Sequence, residues 1–380
     1  MERKNITVGF ISATDPNDRK PQSGTTYKAY HSLSDKGYTI KWIPAKPGTL
    51  NKILLSGMKG IQKILRIPMP HDRLCLSYNL LTKGLDKKTI SQCDVLFSSF
   101  SLVNGKLLNK PLIYMSDAIY SQMIGYYWKE HISSFVLTQG NKTQQITLDS
   151  ASHLVFSSQW AADAAIKSYS QPKSKISVIE FGANIDDKDI IPHKFSFKGH
   201  LHVLFIGVDW NRKGGVIAVE AVRWLNQNNI PATLHIIGPD RIDEATKSLP
   251  FIDYVGFLNK NIPGQYDKFV GLLQQSHCML LPTLAECSAI AFSESSANGI
   301  PVFSHITGGV PNYIVDGING YLLPLGSSGK DFGKKIKETL LNGEMENMSQ
   351  TATELYRTRL NWSTWGDKVA AIIDSLAAKS

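Results

Sequence analysis

The chain has 380 residues, 42% of them hydrophobic and 19% charged, too many for one ordinary domain and about right for two. This globular composition excludes a disordered or collagen-like chain, and the longest apolar runs stop far short of the roughly 20 residues that a membrane-spanning helix needs. The net charge of +9 is lopsided: residues 1–185 hold 23 Lys and Arg against 12 Asp and Glu, whereas residues 186–380 hold 18 against 20. A basic front half beside a near-neutral rear half suggests two domains with different partners. Nucleic acid, an anionic membrane surface or a phosphorylated substrate each fits the excess.

In chain order, short β-branched runs at 6–12, 38–43, 93–98, 111–115, 153–157 and 176–180 predict strands, with helical stretches at 25–36, 119–132 and 159–169 between them. A second series of strands is predicted at 201–207, 232–238, 252–255, 278–282, 301–304 and 320–323, with helices at 215–226, 265–275 and 288–298. Two rounds of strand–helix alternation predict two parallel-sheet α/β domains with ligand sites at the C-terminal ends of the strands. The polar, turn-rich stretch 184–199 marks the boundary, giving one domain over 1–185 and another over 186–361.

Met1-Glu2-Arg3-Lys4 leads into a short alternating strand with no small-residue cleavage site behind it. No signal peptide is read there, and a cytoplasmic protein is expected. Cys75, Cys93, Cys278 and Cys287 show no Cys-x-x-Cys spacing, so neither disulfides nor a zinc site is expected. His200 and His202 read as one surface and one half-buried side chain at a strand start rather than a metal pair.

One stretch departs from the alternation. Leu50, Ile53, Leu54, Met58, Ile61, Ile64 and Leu65 recur at helical spacing, while Lys52, Lys59, Lys63 and Arg66 project from the opposite face, and no acid falls between Lys46 and Arg66. Such a basic amphipathic helix can lie in a membrane interface. The alternative is a surface helix packed on the core with a solvated Lys face. Gly57 and Gly60 weaken the helix in isolation and favour ordering on contact.

The most informative segment is Pro282-Thr283-Leu284-Ala285-Glu286-Cys287-Ser288-Ala289-Ile290-Ala291-Phe292-Ser293-Glu294. It joins a strand to a helix whose first amides, about residues 287–290, make a nest for an anion or a hydroxyl. If the helix is regular, about 12 Å of rise separates Glu286 from Glu294. That is too far for the paired carboxylates of a glycosidase, which need roughly 5–10 Å. It suits one carboxylate on a sugar ring and the other on the ribose of the same nucleotide. A capping Glu followed by an exposed helix Glu is the plain alternative. In Phe205-Ile206-Gly207-Val208-Asp209-Trp210-Asn211-Arg212-Lys213-Gly214-Gly215, a strand ends, a turn delivers adjacent Arg and Lys, and two glycines open a helix, as a diphosphate requires. The Gly-x4-Gly-Lys-Ser/Thr order of an ATPase phosphate loop is absent. Thr307-Gly308-Gly309-Val310-Pro311 is a third strand-to-helix turn where backbone can approach a ligand closely.

Together these residues resemble the retaining nucleotide-sugar glycosyltransferases of family 4, the glycosyl transferases group 1. The Glu, seven residues, Glu pattern is Glu286 and Glu294, and the Lys-Gly phosphate turn is Lys213-Gly214. The Gly-Gly-x7-Gly-x2-Gly stretch runs from Gly308 to Gly320, and Val178-Ile179-Glu180-Phe181-Gly182-Ala183-Asn184 resembles the family's interdomain segment. The resemblance implies a GT-B fold of two facing Rossmann-like domains, with a C-terminal helix at about 362–380 packing back on the first.

It further implies that Glu286 meets the donor sugar at the reacting face and that Glu294 holds the ribose hydroxyls. Arg212 and Lys213 would neutralise the diphosphate, with Gly207, Gly256, Ser288, Ala289 and Ile290 lining the donor site. In the front half, Asp117 would lie near the sugar, and Gly24 and Thr25, in the loop after the first strand, on the acceptor side. Three departures stand out: Val208 occupies a usual Arg position, Ser288-Ala289 replaces Phe-Gly, and Ser23-Gly24 replaces Gly-Gly.

The implied donor is a nucleotide diphosphate sugar, with no cofactor and no metal ion, since Arg and Lys take the charge that Mg²⁺ would otherwise neutralise. Asp187-x-Asp189 reads as a solvated cluster in a linker. The acceptor is a hydroxyl on a glycan, a lipid-linked molecule or a small molecule, in cell-envelope synthesis or as a soluble enzyme. A basic helix face of Lys52, Lys59, Lys63 and Arg66 suggests a station on the inner face of a membrane. A nucleotide-sugar 2-epimerase or a phosphorylase shares the sheets but not the expected conjunction of turns. No nucleic-acid partner is expected, because no basic motif carries interleaved aromatics.

Overall fold

The computed structural model describes residues 3–46, 48–49, 52–53, 56–57, 74–128, 132–192 and 195–379. The chain divides into two compact units: Met1–Ile179 with Gly366–Ser380, and Glu180–Trp365.

The first unit is built on β1 (Thr7–Ser12), β2 (Thr39–Pro44), β3 (Val95–Ser99), β4 (Leu112–Ser116), β5 (His153–Phe156) and β6 (Ile176–Val178), all parallel in the order β2-β1-β3-β4-β5-β6. Phe10 of β1 lies between Trp42 and Phe97 of its neighbours. Every residue of β3 and β4 is buried, the burial on both faces that makes such strands read as near-continuous apolar runs. The strand order reverses between β1 and β3, which opens a crevice at their C-terminal ends. The end of the chain joins this unit through Tyr38, whose hydroxyl donates to Ala370 O at 3.0 Å, and Arg3, whose Nε donates to Asp374 Oδ2 at 3.0 Å.

The helix expected at 119–132 is a correction. Among the described residues there, Tyr120–Met123 alone is helical, and Gly125 turns the chain with φ +74°. The long helix of this region is Ser134–Ser150, capped by the Ser133 hydroxyl on Val136 N–H. Its threonines hide it from a reading by periodicity. Thr138, exposed, and Thr143 and Thr147, buried, return their hydroxyls to carbonyls four residues back, which satisfies the two buried hydroxyls within the helix itself.

The second unit contains β7 (Leu201–Ile206), β8 (Ala232–Ile237), β9 (Ile252–Gly256), β10 (Cys278–Leu281), β11 (Val302–His305) and β12 (Gly320–Leu323), parallel in the order β12-β11-β10-β7-β8-β9. Counted along this sheet's own chain order, the arrangement is that of a dinucleotide-binding sheet, with its reversal between β7 and β10. Val203, Phe205, Leu234, Met279, Leu281 and Phe303 supply the core of the sheet. The helix Ile290–Ala297 is buried at all eight residues, so Glu294 is not the exposed helix Glu of the plain alternative.

Cys75, Cys93, Cys278 and Cys287 are not joined in disulfides, and burial pushes the Cys278 thiol up to about 12. Among the described residues no helix is long and apolar enough to cross a membrane. Lys52 and Ile53 of the basic amphipathic stretch are exposed, Ile53 to 64%. Lys59, Lys63 and Arg66 lie outside the described residues.

Candidate functional site

At the reversal of the second sheet, the turn after β7 meets the turn after β10. Lys213 N–H donates to Asp209 O at 2.9 Å and Arg212 N–H to Asp209 Oδ1 at 3.1 Å, which winds the first turn tightly. Gly214 ends it in the left-handed region at φ +75° and caps the helix Gly215–Gln227. A Cβ there would stand 2.2 Å from Pro282 O, so only glycine lets the turn press against the end of β10.

The second turn is tied to the first by Leu284 N–H on Arg212 O at 2.8 Å, and by Arg212 Nη1 on Ala285 O at 2.7 Å. The Lys213 ammonium pairs with Glu286 Oε2, and Arg212 Nη1 lies 3.8 Å from the same oxygen. Glu286 is 5% exposed; a carboxylate so buried requires paired cations. Arg212 is shared, its Nε standing 3.4 Å from Asp209 Oδ2. The third turn, after β11, closes on the same residue: Gly309 N–H donates to Glu286 O at 2.9 Å. Gly207, Arg212, Lys213, Glu286 and the Gly308-Gly309 turn are therefore brought together. Val208, at the usual Arg position, is exposed.

The helix after Glu286 begins at Ile290, with Ala289 as an N-cap lacking any side-chain bond. The nest of free amides thus falls at about 289–291 rather than 287–290, and Ser288 and Ala289 precede the helix. Because Glu286 lies outside it, the regular-helix rise does not describe its separation from Glu294. Glu294, one turn in, pairs through Oε1 with the Lys260 ammonium. Lys260 escapes the sequence reading because it sits in the polar run Asn259-Lys260-Asn261, which looks solvated. Gly256 ends β9 at φ +75°, and Phe257 beyond it is 40% exposed.

The front-half candidates lie in the first unit, on separate turns. Gly24, at φ +91°, follows the left-handed Gln22 and Ser23 and opens the helix Thr25–Asp35. Thr25 and Thr26 are buried, and Thr26 Oγ1 stands 3.4 Å from Ser99 Oγ at the end of β3, which puts this loop at the reversal of the first sheet. Asp117 is half-buried in the turn after β4, where Ser116 Oγ donates to Ala118 O at 2.7 Å. Asp187 and Asp189 form a short 3-10 turn, and Tyr266 is its anchor: the phenol oxygen accepts from Asp186 N–H at 2.8 Å and donates to Asp189 Oδ2 at 3.1 Å. Asp187 is exposed, as expected of a solvated cluster, whereas Asp189 is tied into the fold.

Residues 186–355 match the family model described as Glycosyl transferases group 1. The D-inositol 3-phosphate glycosyltransferase of Mycolicibacterium smegmatis is 22% identical over 239 residues, covering 60% of this chain and 54% of that protein. The chain spans about half the length of the curated relatives it matches. Among solved structures, a glycosyltransferase from Rickettsia africae superposes with a TM-score of 0.70 at 15% identity, over 99% of this chain and all of the other. Anabaena HepE, in complex with UDP and glucose, gives 0.64 at 14% identity, over 98% of this chain and all of the other. At such identities the likeness speaks to the fold, and it bears out the GT-B expectation.

Proposed function

We propose, from the match of residues 186–355 to the model of the glycosyl transferases group 1, that the chain transfers a sugar from a nucleotide diphosphate sugar to a hydroxyl acceptor. The observation that carries the reading is the meeting of Arg212, Lys213 and Glu286 at the reversal of the second sheet. Open α/β sheets bind their ligands at such a point.

In this reading, Arg212 and Lys213 receive the diphosphate as its charge develops, a role for fixed cations in a water-poor site. Each exchanges part of its carboxylate partnership for phosphate oxygens, and no metal ion is needed. Glu294 accepts from the ribose hydroxyls. Glu286, released from part of its pairing with Lys213, meets the sugar. The amides at Ala289 and Ile290, with Ser288, Gly207 and Gly256, line the donor. On the first unit, Asp117 serves the sugar side, and Gly24 and Thr25 the acceptor.

Transfer proceeds with retention. The acceptor oxygen forms its bond to the anomeric carbon on the face from which the diphosphate leaves, the bond to the leaving phosphate oxygen breaks, and the hydroxyl proton passes to that phosphate. The likeness to HepE, a complex with UDP and glucose, supports a nucleotide-linked donor. The exposed Lys52 and Ile53 support a peripheral station on the inner, cytoplasmic face of a membrane, with a lipid-linked or cell-envelope acceptor. A panel of nucleotide sugars, scored by thermal shift and by slow donor hydrolysis with and without chelator, tests the whole. Stabilisation by one donor, with hydrolysis that survives chelation, is expected; a panel without effect refutes the donor reading.

A further inference from the structure

Lys260 stands in the turn between the end of β9 at Gly256 and the helix Pro263–Gln275. The turn is pinned by its neighbours. Asn259 N–H donates to Gln265 Oε1 at 2.7 Å, Asn261 N–H to Asn259 Oδ1 at 3.0 Å and Ile262 N–H to Asn259 O at 2.9 Å. A lysine in so polar a turn ordinarily extends its ammonium into water. Here the ammonium pairs with Glu294 Oε1 and lies 4.3 Å from the centroid of the Phe269 ring, with 14% of the side chain exposed. Losing that much hydration is costly, and a pair with one loose partner would not offset it.

Glu294 is the opposite of a loose partner. It belongs to a helix buried at every residue, and its side chain is 3% exposed. Its own carbonyl is occupied by Asn298 Nδ2 at 2.9 Å. Of its carboxylate oxygens, Oε1 is held by Lys260, and among the described residues no hydrogen bond reaches Oε2. An ionised carboxylate offers about four acceptor positions. The pair therefore fixes the carboxylate by one oxygen and leaves the other uncommitted, while the Phe269 ring limits the swing of the ammonium.

We propose that Lys260 is a positioning residue for the donor site: by holding Glu294 Oε1, it presents Oε2 to the ribose hydroxyls of the bound nucleotide. The inference rests on the donor reading above and adds the residue that sets the carboxylate's orientation. A purely structural ion pair would lower affinity for every ligand alike when broken. A positioning pair acts on the ribose alone.

The test is calorimetric titration of the full chain with UDP, GDP and ADP, each beside its 2′-deoxy form. Wild type favours the ribo form of whichever base it binds. Lys260→Met, which keeps an apolar stem against Phe269, weakens the ribo form roughly tenfold, the scale of a charge-assisted hydrogen bond, and leaves the deoxy form nearly unchanged. The ribo-to-deoxy ratio then falls towards one, and Lys260→Arg restores most of it. Lys260→Gln carries the same test should the Met variant fail to fold. A wild-type ratio kept in a folded Met or Gln variant overturns the positioning role alone. A wild type that binds none of the nucleotides overturns the donor reading, and this inference with it.

Discussion

Lys213 and Glu286 form an ion pair that joins the turn after β7 to the turn after β10, with side-chain exposures of 12% and 6%. Breaking a buried pair typically costs ~3–5 kcal/mol when nothing else compensates the remaining charge; here Arg212, 3.8 Å from the same Glu286 oxygen, offsets part of that cost. Lys213→Ala is therefore expected to lower stability as well as turnover. Lys213→Met combined with Glu286→Gln should recover much of the stability by denaturant unfolding, and none of the activity. A double variant as unstable as Lys213→Ala alone would show that the pair is not what joins the turns.

The two glutamates should separate in function. Glu294→Ala is expected to weaken nucleoside diphosphate binding by ~1.5–3 kcal/mol, the worth of hydrogen bonds to a charged acceptor. Glu286→Ala should leave that affinity close to wild type and depress turnover if, as proposed, its partner is the sugar, where the transition state forms. Titration with the diphosphate and single-turnover kinetics distinguish them. Undiminished affinity in Glu294→Ala refutes the ribose assignment.

Much of the scaffold was legible, because strands covered on both faces leave apolar runs that turn residues punctuate. Among the described residues, all twelve expected strands fall within a residue or two of their expected positions, and Gly320–Leu323 coincides with its own. What escaped was polar or long-range. The helix Ser134–Ser150 buries Thr143, Gln144 and Thr147, residue types that a hydrophobic period discards. The partnership of Lys260 with Glu294 spans 34 residues and depends on how the turn after β9 folds towards a buried helix. Likewise, Arg212 and Lys213 read as cations awaiting an anion, and pattern alone gave no hint that Asp209 and Glu286 already engage them.

A histidine row gives the second unit an acid limit. His202 Nδ1 lies 2.9 Å from His235 Nε2, His235 Nδ1 lies 2.7 Å from Asp253 Oδ2, and His202 N–H donates to His277 Nδ1 at 2.9 Å. Burial, then the neighbouring His235, His277 and His200, pull the His202 imidazole down to about 4. Unfolded, it titrates near 6.5. Between those values the unfolded chain binds the extra proton, so stability falls as pH drops from about 6.5 towards 4 and is level above that window. Calorimetric melting at pH 7.5 and 5 should show a loss that His202→Gln reduces. His31 and His153, in the first unit and also lowered by burial, tilt the profile in the same direction. An identical loss in the variant would exonerate His202.

Where the protein works turns on the basic stretch beyond β2. Its described members fit a surface that meets something: Lys52 is exposed, and Ile53, from the apolar stripe, is 64% exposed. Each Lys or Arg near an anionic bilayer contributes ~1 kcal/mol, so on the proposed reading Lys52, Lys59, Lys63 and Arg66 together would support a reversible attachment that weakens as salt screens the charges. Co-sedimentation with vesicles should therefore require anionic lipid, fall between low and high salt, and drop when all four residues become Gln. Substituting Ile53 with Ser should weaken binding further without altering its salt dependence, because burial of an apolar side chain is indifferent to ionic strength. A fully solvated enzyme acting on a small acceptor predicts sedimentation with neither lipid. Equal binding to neutral and anionic vesicles, or none to either, rules out the electrostatic attachment.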